Sequence, residues 1–71
     1  MKSRSEFLAD LKQRALEIAR AGDLVHAVSL MCVEANKRED VKPHHTVVLA
    51  GTKHVMNEDS AGVIRWIESF S

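Results

Sequence analysis

The first third of the chain spaces its apolar residues as an amphipathic helix does. Apolar positions recur at steps of three and four residues, which places their side chains on one face of a helix. Ser3 and Glu6 have the Ser-x-x-Glu spacing of a capping box, in which each side chain binds a free backbone N–H at a helix start. The pattern predicts a helix over residues 4–21 with this apolar face: Phe7, Leu8, Leu11, Ala15, Ile18 and Ala19.

A second apolar segment follows a break at Gly22 and Asp23. Glycine often ends a helix in the left-handed conformation, and aspartate often caps the next one. The pattern therefore predicts a helix over 24–38 that folds back on the first. Its apolar residues cover more than half of its circumference, so it is either a central helix or one with an extra face for a partner. The main stripe is Leu24, Val25, Val28, Met31, Cys32 and Ala35, and Ala27, Leu30 and Val33 widen it.

The segment that follows Pro43 is compatible with two structures. The β-branched run Thr46, Val47 and Val48 suits a buried strand, but no other segment of the chain alternates so as to pair with it. Such a strand could pair only with its symmetry copy in a homodimer. We favour a helix over residues 45–56, in which Gly51 would mark a close contact between helices.

Asp59 or Ser60 can start a last helix over residues 60–70. The sequence thus predicts an all-α fold, a small bundle of about four helices in two hairpins, as one domain over residues 1–71. Trp66 and Phe70 are four residues apart in the last helix and could either cap the core or anchor a partner, because tryptophan is enriched at binding hot spots. The candidate partner-binding residues are Trp66, Ile67, Phe70, Leu30 and Val33.

The composition favours association and disfavours nucleic acid. A chain of 71 residues buries only ~60% of its unfolded surface, so packing against a second chain would add stability. Ten basic and ten acidic side chains cancel, whereas nucleic-acid binders need a positive surface. A helix-turn-helix-like nucleic-acid-binding or regulatory protein is the alternative, since Gly22 and Asp23 could form its turn. In that alternative a basic strip would contact phosphates: Lys2, Arg4, Lys12, Arg14 and Arg20.

The residue spacing indicates no catalytic, cofactor or metal site. Four histidines and Cys32 could supply zinc ligands, but their spacing matches no zinc motif. Cys32 lies within an apolar stripe, where burial raises the pKa of a thiol instead of activating it. The three glycines are isolated, so no phosphate loop is present. No apolar run approaches the ~20 residues that span a bilayer. A lone cysteine suits the reducing cytoplasm, which we expect as the location.

Two stretches resemble known proteins. Gly22, Asp23 and Ala27 form a G-D-x-x-x-A turn that resembles the inter-helix turn of tetratricopeptide-type helical hairpins, over about residues 15–33. The ending V-I-R-W-I-E-S-F, together with A-G-D-L-x-x-A-V-x-x-M, resembles short uncharacterised bacterial proteins that close in R-x-W/F-I-E-G-F, although Ser69 stands in place of the glycine. These resemblances imply an all-helical domain and no assigned activity. Because the core is thin, the helices carry surplus apolar surface and the net charge is zero, we expect a non-enzymatic protein–protein interaction module, with a homodimer as one open form of it.

Overall fold

The computed structural model describes residues 3–70, which form four helices. Helix α1 spans Arg4–Arg20, α2 Leu24–Asn36, α3 His45–Met56 and α4 Ser60–Glu68. Residues 3–70 contain no strand, so the predicted all-α class is confirmed. The strand alternative for the segment around Val47 is wrong, because this segment lies within α3.

The starts of α1, α2 and α4 are set by side-chain caps that the sequence predicted. The Ser3 hydroxyl accepts the Glu6 backbone N–H, and the Glu6 carboxylate accepts the Ser3 N–H, which completes the capping box. Gly22 ends the first hairpin turn with a φ of 95°, and Asp23 caps α2. The Asp59 carboxylate caps α4 by accepting the Gly62 N–H at 2.9 Å. Each cap satisfies a backbone donor that the first turn leaves unpaired.

Three helix ends come earlier than predicted. Helix α1 ends at Arg20, α2 at Asn36 and α4 at Glu68, where residues 21, 38 and 70 were predicted. Beyond α4, the Ser69 hydroxyl donates to the Trp66 carbonyl at 2.8 Å and so binds one of the carbonyls that the helix end leaves unpaired.

The core is built from α1, α2, α4 and Val41 of the linker. Alanines fill much of the buried surface of α1 and α2, and their small side chains let these two helices lie close together. The Val25 side chain, predicted to join the core stripe, is exposed instead because it lies on the outer side of α2. The buried apolar residues are Leu8, Leu11, Ala15, Ala19, Ala27, Val28, Met31, Ala35, Val41, Val63, Trp66, Ile67 and Phe70.

Helix α3 lies at the edge of the bundle. It packs on α2 and α4, and over the helix ranges given above it does not contact α1. Gly51 is its one fully buried position among the described residues. As a consequence, α3 keeps one side against the core and exposes most of the rest. Within residues 3–70, no helix combines the length and the apolarity needed to cross a membrane.

Candidate protein-interaction face

The structure separates the five predicted partner-binding residues into two groups. Trp66, Ile67 and Phe70 lie in the core, and Trp66 is only 7% exposed. Leu30 is half-buried against the core, whereas Val33 is exposed. Direct partner contact by the three core residues stays a prediction, because in a single chain their side chains are covered by the other helices.

Trp66 holds α3 onto α4. Its indole Nε1 donates to the Val47 carbonyl of α3 at 2.8 Å. Its ring lies directly over Gly51, where an added Cβ would be 2.7 Å from ring atoms Cε2 and Cζ2. The edge of Phe70 meets the same ring at a centroid distance of 4.8 Å. The close helix contact predicted at Gly51 is therefore confirmed, and Trp66 is the side chain that makes it.

The exposed large hydrophobic residues are concentrated on two helices. Among the residues that the structure describes, all of them belong to α2 or α3: Val25 (62% exposed), Val33 (55%), Val47 (36%), Leu49 (62%) and Met56 (78%). Single exposed apolar residues are common on any protein, but a grouping on neighbouring helices is typical of a contact surface.

On α2, the exposed residues form a stripe without charge. Val25, Ser29, Val33 and Asn36 follow one another at steps of four, four and three, which places them on one side of the helix. Cys32 lies beside them and is half-buried.

On α3, Leu49, Thr52 and Met56 form a second exposed stripe at steps of three and four. A groove of about 530 Å³ lies between the two helices, with Cys32 and Val33 on its α2 side and Val48 on its α3 side. We call the combined surface the α2–α3 face. It consists of Val25, Ser29, Cys32, Val33 and Asn36 of α2 and Val48, Leu49, Thr52 and Met56 of α3.

Lys37 is the one ionised side chain among the described residues that line this groove. At the edge of the groove, the Lys37 ammonium pairs with the Glu34 carboxylate at 2.6 Å, so the two charges cancel locally. The hydrogen bond from Lys37 is the main reason that the pKa of Glu34 lies below its ordinary value; burial opposes it, and the charges of Lys37 and Arg14 lower the pKa further by smaller amounts. On α2 the groove is therefore flanked by a neutral pair, while on α3 the exposed Lys53 lies beside Leu49 and Met56 at the outer edge of the face.

The reactivity of the Cys32 thiol reports how far this side chain is buried at the face. Burial raises the pKa of its thiol, so the folded chain holds less thiolate near neutral pH than the unfolded chain does. Thiolate is the reactive form. We expect iodoacetamide to alkylate Cys32 more slowly in the folded chain than in the same chain unfolded by urea. The unfolded thiol also ionises first as pH rises, so its ionisation lowers the free energy of unfolding in alkaline solution. Equal alkylation rates would contradict the half-buried position.

Most of the histidines contact cap residues. The His26 ring lies 3.6 Å from the Asp23 carboxylate, and the His54 ring lies 3.5 Å from that of Asp59. His44 caps α3 by accepting the Thr46 N–H. Within residues 3–70, no three side chains among His, Cys, Asp and Glu come together in a way that could hold a metal ion.

The sequence analysis missed Val25, Leu49 and Met56 as surface candidates. The signal was present on α3, because Leu49, Thr52 and Met56 already show helical spacing in the sequence. The spacing alone does not show which side of α3 faces the core. That side is set by the contact of the Trp66 ring with Gly51, and Trp66 belongs to a distant part of the chain.

Comparison of the chain with protein-family models, with curated protein sequences and with solved structures gave no match. The resemblances to tetratricopeptide-type hairpins and to short bacterial proteins therefore stay predictions.

Proposed function

We propose that the chain is a non-enzymatic protein–protein interaction module and that its α2–α3 face pairs with the same face of a second copy. The observation that carries this proposal is the restriction of exposed large hydrophobic side chains to α2 and α3 among the described residues. We also propose a cytoplasmic location, as expected from the lone cysteine, and a bacterial origin, as the resemblance of the closing motif implies.

The apolar side chains at the centre of the face favour a second copy as the occupant. In a two-fold symmetric dimer the same patch meets itself, so any charge on it would approach a like charge. Like charges brought together in an interface cost several kcal/mol. The side chains of the α2–α3 face, such as Val33, Leu49 and Met56, avoid this repulsion. They also give a strongly charged partner nothing to recognise.

The size of the chain is also compatible with this pairing. A standard interface buries about 800 Å² on each partner. That is less than a fifth of the chain's accessible surface of 4563 Å², and the outer sides of two of the four helices are available for it. Each fully buried Leu or Met would contribute about 1.5–3 kcal/mol. The exposed Leu49 and Met56 are thus the strongest anchors of the proposed contact.

A charge placed on either helix of the face should prevent pairing. We expect the molar mass of the wild-type chain to rise with concentration from 7.9 kDa toward twice that value in sedimentation equilibrium. Leu49→Glu or Val33→Glu should raise the dissociation constant at least a hundredfold, because an unpaired buried charge costs several kcal/mol, and about 1.4 kcal/mol corresponds to tenfold.

The matched control is Gln13→Glu, which adds the same charge at an exposed position on α1. It should associate as the wild type does, and circular dichroism should show all three variants to be equally helical. A wild-type chain that stays at the monomer mass at every concentration would contradict pairing. A dimer that persists in both Leu49→Glu and Val33→Glu would place the contact elsewhere.

The alternative of nucleic-acid binding has less support. Several side chains of the basic strip make contacts within the chain. Arg14 lies 3.8 Å from the Glu34 carboxylate, and Lys12 donates to the Glu68 carbonyl at 3.1 Å. Lys2 lies outside the described residues. Retardation of duplex DNA in a gel at low salt, lost as salt is added, would favour this alternative.

A further inference from the structure

A second cavity, of about 270 Å³, lies on another part of the molecule, between the start of α1, the end of the α2–α3 linker and the residues after α4. Its apolar lining includes Val41 and Phe70, both buried, together with Pro43 and Val47. An apolar group that entered the cavity would therefore leave water for contact with these side chains.

The polar lining of this cavity consists mainly of hydrogen-bond donors. Arg4 and Lys42 bring two positive charges, and the Arg4 Nε donates to the Asp40 backbone carbonyl at 2.9 Å, which fixes the guanidinium at the rim. His44 accepts the Thr46 N–H through Nδ1 at 3.3 Å. A neutral histidine ring that accepts at Nδ1 carries its proton on Nε2, so His44 also adds a donor.

The described residues that line the cavity carry a net positive charge. Asp40 is the one carboxylate among the described residues that line it. Both of its oxygens accept from the Arg38 guanidinium, from Nε at 3.0 Å and from the terminal nitrogen at 2.8 Å. Because Arg38 neutralises Asp40, the charges of Arg4 and Lys42 are left to attract an anion.

We propose that this cavity binds a small carboxylate that carries an aliphatic or aromatic group. Arg4 and Lys42 would hold the carboxylate through charge-assisted hydrogen bonds, while Val41 and Phe70 would contact the apolar group. The cavity is slightly smaller than the ~300–1,000 Å³ of pockets for drug-sized ligands, which suits a ligand of about a dozen non-hydrogen atoms. The same chemistry occurs in a free acid and at the C-terminus of a peptide that ends in an apolar residue.

The test is an NMR titration of the ¹⁵N-labelled chain with N-acetyl-leucine and with its uncharged amide. For a ligand of this size, N-acetyl-leucine should bind with a dissociation constant in the millimolar range. Shifts should be largest at Val41, Val47 and Phe70. The amide should bind at least about tenfold more weakly, because it lacks the charge that Arg4 and Lys42 recognise.

Two variants at the rim and one control make the test specific. Lys42→Gln and Arg4→Gln should each weaken N-acetyl-leucine about tenfold, as expected for the loss of one charge-assisted hydrogen bond. Lys53→Gln, which removes an exposed lysine of α3 outside the cavity, should leave the affinity unchanged.

An N-acetylated pentapeptide that ends in leucine identifies the source of the ligand. Tighter binding of the peptide than of N-acetyl-leucine would indicate a peptide C-terminus, and equal or weaker binding would indicate a free acid. The proposal is overturned if acid and amide bind equally, if Lys53→Gln weakens binding as much as Lys42→Gln does, or if inorganic phosphate binds more tightly than N-acetyl-leucine.

Discussion

Replacing Trp66 with alanine is expected to remove a large part of the chain's stability. Truncating a buried tryptophan to alanine costs about 3–5 kcal/mol. A domain of 71 residues has only about 4–10 kcal/mol of stability in total. Trp66 also donates the hydrogen bond to the Val47 carbonyl and covers Gly51, so its loss removes the main contact between α3 and α4. Circular dichroism during urea denaturation measures the effect.

Trp66→Phe is the matched variant for this experiment. It keeps an aromatic ring in the core but lacks the N–H that the Val47 carbonyl accepts. We expect it to remain folded and to lose about 1–3 kcal/mol, the cost of an unsatisfied buried partner together with a smaller ring. If Trp66→Ala left the urea midpoint unchanged and abolished only association, Trp66 would be a partner anchor and not a core residue.

The second large effect is expected at Gly51. In Gly51→Val the new Cβ would lie 2.7 Å from Trp66 Cε2 and Cζ2, closer than real carbon contacts allow. Trp66 cannot turn away without breaking its bond to Val47 and its contact with Phe70. We therefore expect a loss of about 1–3 kcal/mol from overpacking, read as a lower urea midpoint.

Ala50→Val controls for the helix propensity of valine. Ala50 is exposed, so this variant adds the same β-branched side chain to α3 without meeting Trp66. It should lose only about 0.5 kcal/mol. Equal losses at positions 50 and 51 would contradict the close contact.

A double-mutant cycle separates the clash from other effects. Replacing glycine with alanine inside a helix normally adds about 1 kcal/mol of stability. In the wild-type background we expect Gly51→Ala to lack this gain, because the new Cβ would meet the Trp66 ring. In the Trp66→Phe background the clashing part of the indole is absent, and the gain should return. We expect a coupling of about 1–2 kcal/mol between the two positions. Additive effects would show that the Trp66 ring does not limit the space at Gly51.

Local signals in the sequence were sufficient to predict α1, α2 and α4, whereas the segment of α3 was also compatible with a strand. Ser3 with Glu6, Gly22 with Asp23, and Asp59 each act within a few residues along the chain, so their capping roles could be read before any packing was known. The ends of α2 and α4 were less accurate. Apolar spacing continues beyond Glu68 to Phe70, whereas α4 ends at Glu68 and the Ser69 hydroxyl binds the Trp66 carbonyl just beyond this end.

The two candidate sites depend on contacts that periodicity cannot show. From the sequence alone, Trp66 could be either a core residue or a surface anchor. Its contacts with Gly51 and Val47 place it in the core. The outer stripe of α3 is defined by that same contact, which turns Leu49 and Met56 outward. The anion cavity combines Arg4 with Lys42 and Phe70, which are far apart in the sequence and meet only in the folded chain.

The most direct test of the proposed pairing is an isotope-filtered NOE experiment on a mixture of ¹³C-labelled and unlabelled chains. Such a spectrum reports contacts between copies and excludes contacts within one copy. We predict intermolecular NOEs among the methyl groups of Val33, Leu49 and Met56, which lie exposed on α2 and α3. Intermolecular NOEs that arise only from α1 or α4, or the absence of any intermolecular NOE in the concentrated sample, would contradict the proposed pairing of the α2–α3 faces.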